Sequence, residues 1–312
     1  METKLVTLFG GGGFVGRALA QELFAHGWRV RIAQRDPRRA FAVKSLGNLG
    51  QAQFARADIT RPDSVARAIA GADAVVNLVG LLRGDMEAAH VTGAETIARA
   101  AAAAGIPALV HMSAIGADTA SPSAYGRTKG EGEVAVRAAF PNATIIRPSI
   151  IFGRDDQFTN RFAGLIRSLP VVPVIAGETK LQPIFVADVA KAMAEAIVNP
   201  GVHAGKIYVL GGPDILTMAQ INSWLAEAIG RSPSFVPVPP AAACALATLT
   251  GWAPGAPITR DQLAMLATDN VVDPALPGLA ALGVTATPLA AVAPSWLEGY
   301  RKNGRFGARV NA

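Results

Sequence analysis

The segment LFGGGGFVG, Leu8 to Gly16, constrains this chain more than any other. It follows a run of β-branched and apolar residues (4–9) and enters RALAQELFAHG, which reads as a helix closed by Gly27. Gly10, Gly13 and Gly16 fall at G-x-x-G-x-x-G spacing, with Phe14 and Val15 between the last two. In a strand–loop–helix setting such glycines do three things. The first permits a tight turn, the second removes a Cβ so that a diphosphate can reach backbone N–H groups, and the third lets helix and sheet approach. Free amides and the helix dipole then hold negative charge.

The rest of the chain supports that setting. RVRIAQ, AQFARAD, DAVVNLVG, ALVHMSA and ATIIRPSIIFG read as strands, the last running into a loop. They alternate with helices at RPDSVARAIAG, 86–104 and SAYGRTKGEGEVAVRAAF. Most of these strands are continuous apolar runs, as in a parallel sheet covered on both faces. The expected fold class is α/β, a Rossmann-type doubly wound parallel sheet with a smaller C-terminal α/β region. A dinucleotide-binding domain is expected over 1–155 and a smaller substrate or docking region over 156–312. The two interleave, because KIYVLGG (206–212) still reads as a strand and TMAQINSWLAEAIG as a helix.

Composition narrows the function classes. The one cysteine, Cys244, excludes an intramolecular disulfide and fits a reducing compartment. METKLVTLFG lacks the architecture of a secretory leader, so a cytoplasmic protein is expected. The net charge of +6 gathers partly in Arg29, Arg31, Arg35, Arg38, Arg39 and Lys44, and partly in the tail YRKNGRFGARVNA. No aromatic–basic interleaving marks a nucleic-acid motif, so a phosphate-bearing small molecule accounts better for the first group. Ser232 to Thr259 carries no charge over 28 positions. Its prolines argue against a membrane span. It reads as a buried Ala-rich helix with Pro-rich flanks or as a surface helix resting on a membrane or partner. The four histidines show no metal-ligand spacing, and no metal is expected.

The glycine spacing is similar to that of the short-chain dehydrogenase/reductase superfamily, and that resemblance assigns further residues. The acid that grips the ribose in NAD-binding members would fall at Gln34, with Arg35 next and Arg38 and Arg39 close by. Guanidinium groups suit a 2′-phosphate, which favours NADP(H) over NAD(H). Asp36 reads as the N-cap of a helix opening DPRRA, the alternative being a ribose ligand. The resemblance puts Asp58 and Ile59 against the adenine, although Asp58 reads equally well as a loop acid. It puts the backbone of Leu78, Val79 and Gly80 under the adenine ribose.

Tyr125 and Lys129, four apart on a helix, share one face. Ser113 ends the preceding strand. The trio matches the superfamily's Ser–Tyr–Lys set. The roles implied are that Lys129 binds the nicotinamide ribose and lowers the pKa of Tyr125, Tyr125 gives or takes a proton, and Ser113 orients the reacting oxygen. His111 reads as a packing histidine.

A narrower resemblance rests on GGGGFVGRALAQEL, VVNLVGLL, YGRTKGEGEVAVRAAFPNATIIRPSIIFGRDDQF, KLQPIFVADVAKAM, ITRDQLAML and LPGLAALGVTATPL. These resemble the atypical, extended branch that contains the nucleotide-binding accessory subunit of respiratory complex I and its bacterial relatives. It implies a tightly held NADPH, Pro148 and Ile151 beside the nicotinamide, and a partner in a respiratory complex or at the inner face of a membrane. Two functions stay open. One is an accessory protein with a structural nucleotide, linked to quinone or respiratory function. The other is an active oxidoreductase or epimerase acting through Tyr125, Lys129 and Ser113 on a carbonyl, quinone-pathway or nucleotide-sugar substrate. Arg154, Asp155, Asp156, Gln157 and Gln182 are the main polar candidates for a substrate pocket or for loop geometry.

Overall fold

A computed structural model describes residues 3–253, 255–302 and 304. The chain forms two compact units. The first runs to Pro148 and takes in Val186–Leu210 and Val272–Thr285; the second comprises Ser149–Phe185, Gly211–Val271 and the chain from Ala286 on.

In the first unit, β1 (Leu5–Phe9), β2 (Arg29–Gln34), β3 (Ala52–Arg56), β4 (Ala74–Asn77), β5 (Ala108–Met112) and β6 (Thr144–Pro148) join the strand Ile207–Leu210 in one sheet. The spatial order is Ile207–Leu210, β6, β5, β4, β1, β2, β3, and each neighbouring pair is parallel. Chain direction through the sheet reverses between β1 and β4. Ligands of open α/β sheets bind beyond the carboxyl ends of the strands at such a switch point. Every residue of β1 is buried, which explains its uninterrupted apolar run.

The connecting helices include α1 (Phe14–Ala25), α2 (Pro62–Ile69), α3 (Gly93–Ala103) and α4 (Ala124–Ala139). Phe9, Val75, Leu109 and Ile145 of the sheet share a core with Ile69, Ile97 and Val136 of three of these helices. The pleat sends Leu8, Val30 and Ile32 to the other face, where they too are buried. There α1 and the helix Val186–Val198 pack on each other and on the sheet.

Three details go beyond what the sequence offers. The helix over 86–104 opens with a π turn, Ala88–Thr92, and becomes regular only from Gly93. The loop into which ATIIRPSIIFG runs carries a short strand of its own. β6 ends at Pro148, and Ile151–Phe152 pairs with Ile184–Phe185 in the second unit. Proline lacks the N–H that would carry the ladder onward, and the following Ser149 donates instead to Asn270 Oδ1 at 2.6 Å. Of the two readings of the charge-free stretch, the structure takes the exposed helix: Pro240–Thr250 is not buried. Only Ala243 and Ala247 are covered, while Leu249 and Trp252 are 72% and 82% exposed.

The second unit has its own core of Phe152, Ile166, Val172, Ile221, Leu225 and Leu297. Thr217 with Gln220 and Thr259 with Gln262 form reciprocal capping boxes at the starts of Met218–Ala228 and Arg260–Leu266.

Candidate functional site

The glycine loop is shaped for close approach. Gly10 has φ +79°, a left-handed conformation, and donates its N–H to Ala33 at 3.1 Å. A Cβ there would sit 3.3 Å from the Leu78 carbonyl carbon and 3.4 Å from Val79 Cγ2. Gly13 is the N-cap of α1 and brings no side chain to the helix end. The first-turn N–H groups of Phe14, Val15 and Gly16 therefore have neither a side-chain cap nor an intrahelical acceptor. Arg17 is the first to reach back, to Gly13 at 3.0 Å. Gly16 permits contact with the loop itself, since a Cβ would land on the backbone of Gly11.

The end of β2 borders the loop. The Gln34 amide oxygen lies against Gly12, and its nitrogen donates to the Asp36 carbonyl at 2.6 Å. Asp36 is an N-cap, as one reading had it, accepting from Arg38 N–H at 3.2 Å. Arg35 and Arg39 are exposed, and Arg39 Nε lies 3.5 Å from Asp36 Oδ2. Asp58 takes the loop-acid geometry. Its Oδ1 accepts from the N–H and hydroxyl of Thr60, which hold its pKa below the usual carboxylate value. Ile59 is half-buried against the core and covers Gly93.

The backbone from Asn77 to Leu81 joins two groups of candidates. At one end Leu78 and Val79 touch Gly10. At the other, a Cβ on Gly80 would lie 3.5 Å from Lys129 Nζ. That ammonium donates to the Met112 carbonyl at 3.0 Å, next to Ser113. Lys129 is 2% exposed, and desolvation pulls its pKa down to about 8. Tyr125 lies one turn before Lys129 on α4. Burial pushes its phenol up to about 12, and the Lys129 ammonium donates to the Met112 carbonyl. Ser113 Oγ is buried and finds no partner among the described residues.

Two histidines border this region, and only one drew notice in the sequence. His111 is buried on β5, as a packing residue should be, with Nδ1 3.1 Å from the Asn77 amide nitrogen. His90 stands in the π turn. Its Nε2 accepts from Leu81 N–H at 2.8 Å, and Nδ1 lies 2.8 Å from Thr128 Oγ1. Its ring meets Tyr125 edge-on at 5.5 Å. No residue spacing announces a π turn, so nothing in the sequence marks His90.

Pro148 ends β6, and its carbonyl accepts from Ile115 N–H at 3.0 Å. Ile151 belongs to the second unit, in register with Ile184. There Asp156 serves loop geometry. Its carboxylate accepts from Gly153 N–H, Phe158 N–H and the Thr159 hydroxyl. Gln182 donates to the Gly212 carbonyl at 2.8 Å. Among the described residues no group of three or more His, Cys, Asp or Glu could hold a metal ion.

A side-chain-free helix start, a left-handed glycine, a buried orphan hydroxyl and a lysine against an open glycine suit a nicotinamide dinucleotide. Sheet order and loop together define a Rossmann-type dinucleotide-binding fold. The chain belongs to the NAD dependent epimerase/dehydratase family, which matches residues 6–211. It is 34% identical over 292 residues to NADH dehydrogenase [ubiquinone] 1 alpha subcomplex subunit 9, mitochondrial, of Rattus norvegicus, covering 91% of this chain and 77% of that one. It is 30% identical over 254 residues to a ceramide reductase of Caulobacter vibrioides, covering 80% and 78%. Its fold is similar to that of the Bordetella bronchiseptica enzyme WbmH in complex with NAD+. The TM-score is 0.71 at 17% identity, over 97% of this chain and all of that one.

Proposed function

We propose that this chain holds NADP(H) at the Gly10–Gly16 loop and acts as a nucleotide-binding accessory protein of quinone-linked respiration, the nucleotide stabilising the folded state. The observation that carries the reading is the end of β2. Gln34, which lies against Gly12, brings no negative charge to repel a 2′-phosphate, Arg35 and Arg39 that follow it are exposed, and the Asp36 carboxylate between them is engaged by Arg38 N–H and Arg39. In this reading the amides of Phe14, Val15 and Gly16 hold the diphosphate. Asp58 and Ile59 border the adenine, Leu78, Val79 and Gly80 the ribose, and Pro148 the nicotinamide. The similarity to the respiratory subunit supports the assignment, as does the exposed apolar face around Leu249 and Trp252. That face suits peripheral docking on a respiratory complex at the inner, cytoplasmic side of a membrane. Among the described residues no helix is long and apolar enough to cross one. Most of the basic tail lies outside the described residues.

The buried, unpartnered Ser113 hydroxyl and the similarity to a ceramide reductase favour a second reading, an active oxidoreductase or epimerase. When bound, the dinucleotide supplies or takes a hydride. The chain's part is then that Ser113 holds a substrate oxygen, Tyr125 passes it a proton and Lys129 keeps the phenol in place.

The test is direct titration of the purified chain with NADPH and NADH. A charge-assisted hydrogen bond contributes about 1.5–3 kcal/mol, so Arg35→Ala with Arg39→Ala should weaken NADPH about 10- to 100-fold and leave NADH unchanged. A folded chain that binds neither nucleotide overturns the proposal.

A further inference from the structure

His90 is the candidate that the observations carry furthest. It belongs to neither the glycine loop nor the Ser–Tyr–Lys set, yet its side chain touches both halves of the site. Leu81 N–H donates to Nε2, so the ring proton sits on Nδ1 and is given to Thr128 Oγ1. Thr128 in turn donates to the Ala124 carbonyl at 2.8 Å, so every partner's role is fixed. Thr128 lies on α4 between Tyr125 and Lys129, and Leu81 directly follows Gly80, which faces the Lys129 ammonium.

The surroundings are built around this placement. Gly132 carries the His90 carbonyl on its bare face, where any Cβ would collide. The wide turn Ala88–Thr92 is a π bulge, a form that recurs at functional sites. Burial and the Lys129 charge pull the His90 pKa down to about 4, so the ring is neutral at physiological pH. A second tether reinforces the loop from β5. The Asn77 amide reaches His111 while Asn77 Oδ1 caps Val79 N–H at 3.0 Å.

We infer that His90 is a positioning residue for the nucleotide, tying the Gly80–Leu81 backbone to the turn of α4 that presents Tyr125 and Lys129. The inference rests on the dinucleotide-binding reading above. It assigns His90 to the nicotinamide half of the ligand: of the backbone that passes the adenine ribose, Leu78 and Val79 lie against Gly10, whereas Gly80, the end that His90 holds, is where the chain turns toward Lys129.

The experiment compares the full chain with His90→Ala, His90→Gln and Thr128→Val. The probes are NADPH and 2′,5′-ADP, which lacks the nicotinamide half, and melting temperature is measured alongside. Glutamine retains an acceptor for Leu81 and a donor for Thr128; alanine retains neither. The loss of one or two hydrogen bonds corresponds to about tenfold in affinity. His90→Ala should weaken NADPH about tenfold or more and 2′,5′-ADP less than about threefold, with His90→Gln restoring most of the NADPH affinity. Thr128→Val should show the same selective loss, and it decides the matter if His90→Ala does not fold. Equal losses for both probes, equal effects of alanine and glutamine, or no loss in a folded variant overturn the assignment. Failure of the unaltered chain to bind NADPH or NADH overturns the dinucleotide reading instead.

Discussion

Lys129 and Met112 are joined by a 3.0 Å hydrogen bond from the ammonium to the main-chain carbonyl. The bond runs from α4 to the end of β5 and sets the lysine beside Ser113 and facing Gly80. A buried ammonium with one backbone partner retains donors that a ribose can use. The pair thus links the carboxyl end of β5 to the helix that carries Tyr125.

Lys129→Met keeps the side-chain volume and removes the charge. It is expected to weaken dinucleotide binding about tenfold or more in a fluorescence titration. Tyr125→Phe should leave nucleotide affinity within about threefold, since it deletes only the phenol oxygen. The same variant separates the two functional readings. An active oxidoreductase loses about 10²- to 10⁴-fold in turnover, whereas a structural nucleotide-binder complements a deletion strain as well as the unaltered chain.

Gly13 and Gly16 should fail in different ways. At Gly13 an added methyl meets only the Gly10 carbonyl oxygen, at 3.2 Å, and the backbone (φ −75°, ψ −179°) accepts any residue. Gly13→Ala should cost less than about 1 kcal/mol of stability and still lower nucleotide affinity about tenfold, because the methyl stands where the diphosphate approaches. Gly16→Ala drives its methyl into the Gly11 backbone and should cost about 3 kcal/mol or more. Urea midpoints with parallel titrations check both.

Stability should fall as the medium becomes acid. Burial holds His111 down at about 3 and His90 at about 4, against about 6.5 in an unfolded chain. Between those values and about pH 6.5 the unfolded chain binds more protons, so stability rises with pH there and levels off above. Each histidine contributes up to about 1.4 kcal/mol per pH unit within its window. Urea midpoints at pH 5 and 7.5 measure the slope, and His111→Asn with His90→Gln should flatten it.

Trp252 and Leu249 are exposed at the end of a helix that buries only two alanines. Trp252→Ser with Leu249→Ser should change stability by less than about 0.5 kcal/mol. The same pair should abolish co-sedimentation with respiratory membranes if this face docks there. Undiminished co-sedimentation would remove the face from the docking surface.

The local chemistry of the chain determined the alternation of strands and helices, the glycine loop and the ends of β2, β4 and β5 that carry Gln34, Gly80 and Ser113. Periodicities of two and 3.6 residues, and glycine's tolerance of positive φ, act within a few residues and are legible in any window. Tertiary structure decided the rest. The π turn that sets His90 against Leu81 and Thr128 depends on Gly132 lying beneath it, some forty residues away. The break after Pro148 depends on Asn270 receiving Ser149. Neither the charge-free run of 232–259 nor the spacing of Tyr125 and Lys129 tells how water is distributed around them. Desolvation raises the pKa of the partly buried Tyr125, and lack of cover leaves Trp252 exposed, because desolvation depends on what distant segments bring alongside a residue.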